Sequence, residues 1–352
     1  MRWRELLVPA ARSLAGAYGL AGPFKATLAL TYRCPRRCYF CGIYRRDEPE
    51  LSAEDWAAAL AGLESVTWVD VTGGEIFARP DALDVCSRVV EALPSLCLFH
   101  FPTSGAWPGE AVTLARAIAA RGVRVVVSVA VQGPRALHDR VSGAPGAFDQ
   151  ALETFRLLRA LPRVDTVFGA TLLKENIQLV PEGLFDELAR HVGDLRKGDL
   201  HVNRAQRSGH YFSNDAMELP AGAAVSSAMR RLLQWKGLPR TPMDALEAAY
   251  RLLAVQDAEG ASGRLPTCAA LHSSVFVSPS GTVYPCHIWA EPLGLATRGT
   301  NIAALVAGER GRWLRSQVAR GLCPGCWTPC EAYPTLLTAA SNPLYCLQTM
   351  GR

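Results

Sequence analysis

Three cysteines carry the first chemistry of this sequence: Cys34, Cys38 and Cys41 fall in the run Cys-Pro-Arg-Arg-Cys-Tyr-Phe-Cys. Thiolates at that spacing can wrap one corner of a cubic iron-sulfur cluster from a single loop, which leaves the fourth iron open to another ligand. The competing chemistry is zinc, with a distant residue closing a tetrahedral structural site. A second group follows near the other end: Cys268, Cys286, Cys323, Cys326, Cys330 and Cys346. The two groups hold nine of the 11 cysteines. An odd total clustered in this way suits metal ligation in a reducing compartment better than a disulfide framework. Cys86 and Cys97 stand apart among apolar residues and are expected in the core.

The elements that must position these thiols follow from pattern. Near-continuous apolar runs at Ala26 to Tyr32, Thr67 to Thr72, Leu96 to Phe101, Val123 to Val131, Asp165 to Leu172 and Asp199 to Asn203 predict six strands of a parallel sheet covered on both faces. Between them, Trp56, Leu60 and Leu63, then Phe148, Leu152 and Phe155, then Leu184, Leu188 and Val192 mark helical faces. Ser52 and Asp55 resemble a capping box. Such repetition gives either an open doubly wound sheet or a barrel, and composition does not choose. Residues 209–262 read as a loop and two helices. From 263 onward, Ser274 to Ser278 and Thr282 to Tyr284 flank Pro279-Ser280-Gly281, a hairpin signal in a small cysteine-rich domain.

Bulk properties set the limits. The chain has 352 residues, 49% of them hydrophobic, and 37 basic against 32 acidic side chains leave a charge of +5. That balance excludes a disordered or polyanion-coating protein, and no nucleic-acid partner is expected. The length suits two domains, or one large barrel with an appendage. No run approaches the ~18 apolar residues of a membrane span, and no secretory signal opens the chain, so a cytoplasmic protein is expected. Residues 1–20 carry Arg2, Arg4 and Arg12 beside Trp3, Leu6 and Leu7. They can form a basic amphipathic helix on a membrane surface, although a helix capping the sheet is preferred.

The loop is followed, at the end of the second strand, by Thr72-Gly73-Gly74-Glu75, then by Pro102-Thr103-Ser104-Gly105, Gly133-Pro134, His138-Asp139-Arg140 and Pro145-Gly146-Ala147-Phe148-Asp149. In that order they resemble the radical S-adenosylmethionine (radical SAM) superfamily. The resemblance implies a partial (β/α)6 TIM-like barrel over 26–208, preceded by a helical segment 1–25 and joined by the 209–262 linker to a domain over 263–352. It implies that Cys34, Cys38 and Cys41 hold a 4Fe-4S cluster whose open iron chelates SAM. Phe40 would then lie by the adenine, Gly73 and Gly74 would allow close backbone approach, and Glu75 would take the methionyl ammonium. Ala130 stands where a SAM-contacting serine is usual and Ser142 where an arginine is usual, which leaves Ser128 and Arg140 as the nearest substitutes; Asn203 and Arg204 are further SAM-site candidates.

The opening Cys268, Gly281 and Cys286 resembles the SPASM and Twitch extensions, which carry auxiliary iron-sulfur clusters. The later cysteines are fewer and closer than a full SPASM motif has. The resemblance therefore implies one auxiliary cluster on Cys268, Cys286, Cys323 and Cys326, or two if Cys330 and Cys346 help complete another. A zinc ribbon is the competing reading.

Function is expected to follow. A reductant such as flavodoxin or ferredoxin would supply an electron, SAM would yield a 5'-deoxyadenosyl radical, and hydrogen would be taken from an unactivated carbon of a small-molecule or peptide substrate. His287, directly after Cys286, is the candidate base, with His138, His210 and Tyr211 behind it; an ordinary hydrogen-bonded histidine is the plainer reading. About 25 residues precede the barrel, too few for a winged-helix leader-binding domain, which tilts expectation toward a small molecule or a leader-independent peptide. A peptide or protein side-chain maturase is the alternative, and an iron-sulfur carrier or zinc-stabilised binding module the non-enzymatic one.

Overall fold

The computed structural model describes residues 22–261 and 265–341. All six expected strands are present: β1 (Lys25–Thr31), β2 (Trp68–Gly73), β3 (Leu98–Thr103), β4 (Arg124–Ala130), β5 (Val164–Leu172) and β6 (Leu200–Arg204). They pair in parallel, each beside the next in chain order. Parallel neighbours need crossovers, and these carry α1 (Ala53–Leu60), α2 (Ala82–Ala92), α3 (Pro108–Ala120), α4 (Arg135–Ser142), α5 (Ala147–Arg159) and α6 (Glu182–His191). The result is an α/β partial barrel.

Strand alternation sorts the side chains to two faces. Leu28, Val69, Val71, Phe99, Val127 and Phe168 join one apolar cluster with Trp56, Leu114, Phe155 and Leu188 of the helices. Phe155 stacks on Phe168 with ring centroids 3.9 Å apart. Full burial of rings of this kind contributes about 1.5–3 kcal/mol each. The opposite face carries Lys25, Asp70, His100 and Ser128, joined to one another across the inside of the barrel.

Ser52 caps α1 by accepting from the Asp55 amide at 3.2 Å. Leu63 lies beyond the helix, which ends at Leu60, yet stays buried in the core. Replacing Ser52 with alanine is expected to cost about 1 kcal/mol, read as a lower urea midpoint with an unchanged slope.

Past β6, α7 (Gly222–Lys236) and α8 (Pro242–Ala258) form the expected pair, the second opened by a Thr241/Asp244 capping box. The hairpin follows as β7 (Ser274–Val277) and β8 (Thr282–Tyr284), turning at Gly281 with φ +84°; β9 (Gly294–Leu295), α9 (Ile302–Ala307), α10 (Glu309–Ala319) and α11 (Pro329–Ser341) complete the order. β7 pairs in parallel with β1, placing Ser274 opposite Lys25, so the cysteine-rich unit is built onto the barrel's first strand. Among the described residues no helix is long and apolar enough to cross a membrane. The amino-terminal segment of 1–20 and Cys346 lie outside the described residues.

Candidate active site

The cysteine loop leaves the carboxyl end of β1, where barrel folds place their ligands. It is tied down from two sides. Ser142 and Val141, at the end of α4, accept from the Arg37 and Tyr39 amides at 2.9 and 3.2 Å, while Phe212 accepts from Gly42 at 2.7 Å. Asn214 Nδ2 donates to the Phe40 carbonyl at 3.0 Å. The Cys41 amide closes a turn on the Cys38 carbonyl at 3.0 Å. The three thiols are electrostatic neighbours, and burial pushes Cys34 and Cys38 up to about 12, with Cys41 also raised. Without a metal they are neutral thiols. Cys34 and Cys41 pack on an aromatic cluster of Tyr32, Tyr211 and Phe276.

Glu75 sits opposite, buried at 1% exposure. Its Oε2 accepts from Ser104 N at 2.6 Å, Ser104 Oγ at 2.7 Å and Thr103 Oγ1 at 3.1 Å, whereas Oε1 is buried with no hydrogen-bond partner among the described residues. Burial raises its carboxyl above the ordinary value, and the Ser104 and Thr103 donors together with Arg36 oppose that. Arg36, which sequence reasoning passed over, is a buried guanidinium that donates to Gln150 Oε1 at 2.6 Å. Gly73 and Gly74 allow close approach of a particular kind. A Cβ on Gly73, at φ +135°, would lie 2.0 Å from the Thr31 carbonyl oxygen, and one on Gly74 2.3 Å from that of Arg33. Their bareness lets the end of β2 press against the end of β1 and swing Glu75 inward.

The remaining predicted residues spread around this centre. Phe40 packs against Leu137, Val141, Leu173 and Ala205. Arg140 lies exposed in the last turn of α4. Ser128 points into the barrel, bonded to His100. Arg204 pairs with Asp257 of α8. Tyr211 bonds to Thr72 Oγ1 at 2.9 Å and donates to the Gly73 carbonyl at 3.2 Å. His287 is enclosed by the rings of Tyr211, Phe212 and Phe276. Burial, then Lys25 and His210, push its imidazole down to about 3, which makes it a weak base.

In the second group, Cys286 lies within electrostatic reach of Cys326 and Cys268, and Cys268 and Cys326 within reach of Cys323. Cys286 Sγ accepts from the Ile288 and Trp289 amides, both at 3.4 Å, the donor pattern that steadies a thiolate. Cys330 stands apart, its carbonyl accepting from Lys25 Nζ at 2.9 Å. Between them lies Glu331, pushed up by burial to about 7. Among the described residues, no three His, Cys, Asp or Glu side chains converge to hold a single metal ion. Cys86 is buried in the core, as expected.

A half-barrel that ends its first strand in a three-thiol loop and its second in a buried carboxylate defines a metalloenzyme with its site at the strands' carboxyl ends. Residues 28–182 match the family described as the radical SAM superfamily. The chain is 30% identical over 300 residues to the PqqA peptide cyclase of Rhodopseudomonas palustris, spanning 80% of this chain and 71% of that protein. To the enzyme of the same name from Bradyrhizobium diazoefficiens it is 27% identical over 298 residues, or 81% and 71%. The fold is also that of native anSMEcpe with bound AdoMet, at TM-score 0.57 and 13% identity over 94% of this chain and 100% of that one. Streptococcus suis SuiB bound to precursor peptide SuiA gives TM-score 0.53 at 14% identity, covering 78% and 63%. The chain belongs to the radical SAM superfamily and is an enzyme. The family implies a 4Fe-4S cluster and SAM. The site fits them: three half-buried thiols on one tethered loop, and a buried carboxylate oxygen that lacks a donor among the described residues.

Proposed function

We propose that this enzyme modifies a peptide. The reading rests on the loop of Cys34, Cys38 and Cys41 lying near Glu75, whose Oε1 has no partner among the described residues, in a chain whose curated relatives are peptide cyclases over most of its length. Cys34, Cys38 and Cys41 would hold the 4Fe-4S cluster. Phe40, Gly73 and Gly74 would line SAM, and Glu75 Oε1 would accept from its ammonium. Arg140, on the helix whose Val141 and Ser142 carbonyls hold the loop, would lie at the rim. When bound, cluster and SAM supply a one-electron cleavage of a carbon-sulfur bond and a radical able to take hydrogen from an unactivated carbon.

The chain's own residues do the rest. Ser104 and Thr103 hold Glu75 in one rotamer, Arg36 lies close enough to favour its charged form, and the aromatic cluster around Tyr211 excludes water behind the loop. Cys268, Cys286, Cys323 and Cys326 would hold an auxiliary iron-sulfur cluster, with Cys330 and Cys346 available to a second. A flavodoxin- or ferredoxin-type reductant would deliver the electron.

The test is anaerobic reconstitution with iron and sulfide counting, then dithionite, SAM and a pool of synthetic peptides from short reading frames flanking the gene. Iron with 5'-deoxyadenosine and a mass change in one peptide is expected. Zinc without nucleoside would defeat the reading, and turnover on a small metabolite alone would defeat its peptide part.

A further inference from the structure

Asp70, His100 and Ser128 occupy the inward faces of β2, β3 and β4, and the function proposed above gives them no task. His100 Nδ1 is 3.1 Å from Asp70 Oδ1, and its Nε2 is 2.9 Å from Ser128 Oγ. An ionised carboxylate only accepts, so Asp70 accepts a hydrogen bond from Nδ1–H, which keeps its proton. A neutral ring then turns the lone pair of Nε2 toward the serine hydroxyl. Burial opposes charge on Asp70, yet Lys25 at 2.7 Å and His100 outweigh it and hold the carboxyl far below its ordinary range. Trp68 Nε1 also donates to Asp70 at 2.7 Å, and Lys25 is anchored by Thr27 and the Cys330 carbonyl. The orienting carboxylate is therefore fixed on several sides.

There is room in front of the pair. His100 is 26% exposed although it lies inside the barrel. Ala130 pairs with Gly169 on β5, where an added Cβ would meet only the Ser128 Cβ, at 3.7 Å. Small side chains thus leave space beside the hydroxyl. The other histidines near the site are less suited: burial pushes His138 and His210 down to about 4.

We propose that Ser128 and His100, aligned by Asp70, form a relay that accepts a proton from the substrate as it is oxidised inside the barrel. The proposal rests on the radical SAM reading above. A substrate unit H–C–X–H, with X nitrogen, oxygen or carbon, first loses its C–H hydrogen as an atom. The remaining electron leaves to an iron-sulfur oxidant while Ser128 Oγ takes the X–H proton. The serine's own proton moves to His100 Nε2, and a second C–X bond forms. The imidazolium is left against the Asp70 carboxylate, as a relay of this geometry requires.

Two measurements decide it. In the cofactor-free protein, 15N-histidine spectra should show His100 protonated on Nδ1 and bare on Nε2, with that preference lost in Asp70→Asn; a parent carrying its proton on Nε2 overturns the relay. In the reconstituted enzyme with the flanking-frame peptide pool, His100→Gln, which keeps hydrogen-bonding groups but cannot take the proton, should retain at least half the 5'-deoxyadenosine. Peptide product should fall by about 100-fold. Equal loss of both, or of neither, overturns the proposal. Absence of nucleoside from the parent would sink the radical SAM reading instead, and the nitrogen assignment would still settle the relay.

Discussion

Cys38→Ala is expected to remove roughly four irons per chain after reconstitution and to lower 5'-deoxyadenosine by at least ~1,000-fold. The reason is geometric as well as chemical. Cys38 is the middle ligand of a loop pinned at Arg37, Tyr39, Phe40 and Gly42, so no neighbouring side chain can move in to replace it. It is also a thiol that burial, with Cys41 and Cys34 nearby, pushes up to about 12. Ligation must draw off its proton, so assembly of the site releases protons and gains strongly from rising pH. Alanine leaves the backbone tethers intact, and circular dichroism should match the parent. Iron counts and nucleoside yield check the prediction. Parental values of both in the variant would remove the loop from the chemistry altogether.

The same loop shows which parts of the site sequence could reveal. Cys34, Cys38 and Cys41 stood out because ligand types at short spacing, on a loop that follows an apolar run, announce themselves locally, whereas Glu75 was marked only by the family resemblance of the Thr72-Gly73-Gly74-Glu75 run. The strands were legible for a related reason: both faces of a covered parallel sheet are largely apolar, so each strand is a nearly unbroken run. Lys25, Asp70 and His100 were not. Lys25 sits just before its run and Asp70 and His100 interrupt theirs, and only strand register sets them side by side. Arg36 hides as one of two adjacent arginines, distinguished by the Gln150 side chain that α5 brings over it and by the Ser104 carbonyl. The pairing of β7 with β1 likewise has no local signal, since it joins Ser274 to Lys25 across most of the chain. The end of α1 was misplaced for a smaller cause: Leu63 keeps helical spacing, but the chain turns at Gly62, where φ is +83°, and buries Leu63 from a loop.

Glu75→Gln is expected to act in opposite directions on binding and on stability. Glu75 Oε1 has no donor among the described residues, which suits the ammonium proposed above as its partner. Replacing the carboxylate with an amide turns that hydrogen bond from charge-assisted to neutral and should weaken SAM binding by about 100-fold, measured by equilibrium dialysis on the reconstituted protein. Stability follows from linkage. Burial raises the folded-state carboxyl above its ordinary 4.5, by more than Ser104, Thr103 and Arg36 lower it. Between those two values the folded state binds more protons than the unfolded state, so the group's contribution is fully present below the ordinary value and lost as pH rises through the raised one. As pH rises through the raised value, the cofactor-free parent takes on the cost of a buried, incompletely paired charge. The glutamine variant does not, and its cofactor-free form should melt at or above the parent at pH 7 and lose the parent's decline on the alkaline side of pH 4.5. A variant that melts lower at pH 7 yet binds SAM like the parent would show that Glu75 is a structural carboxylate. The opposite pattern identifies it as a group held under electrostatic cost for the ligand it receives.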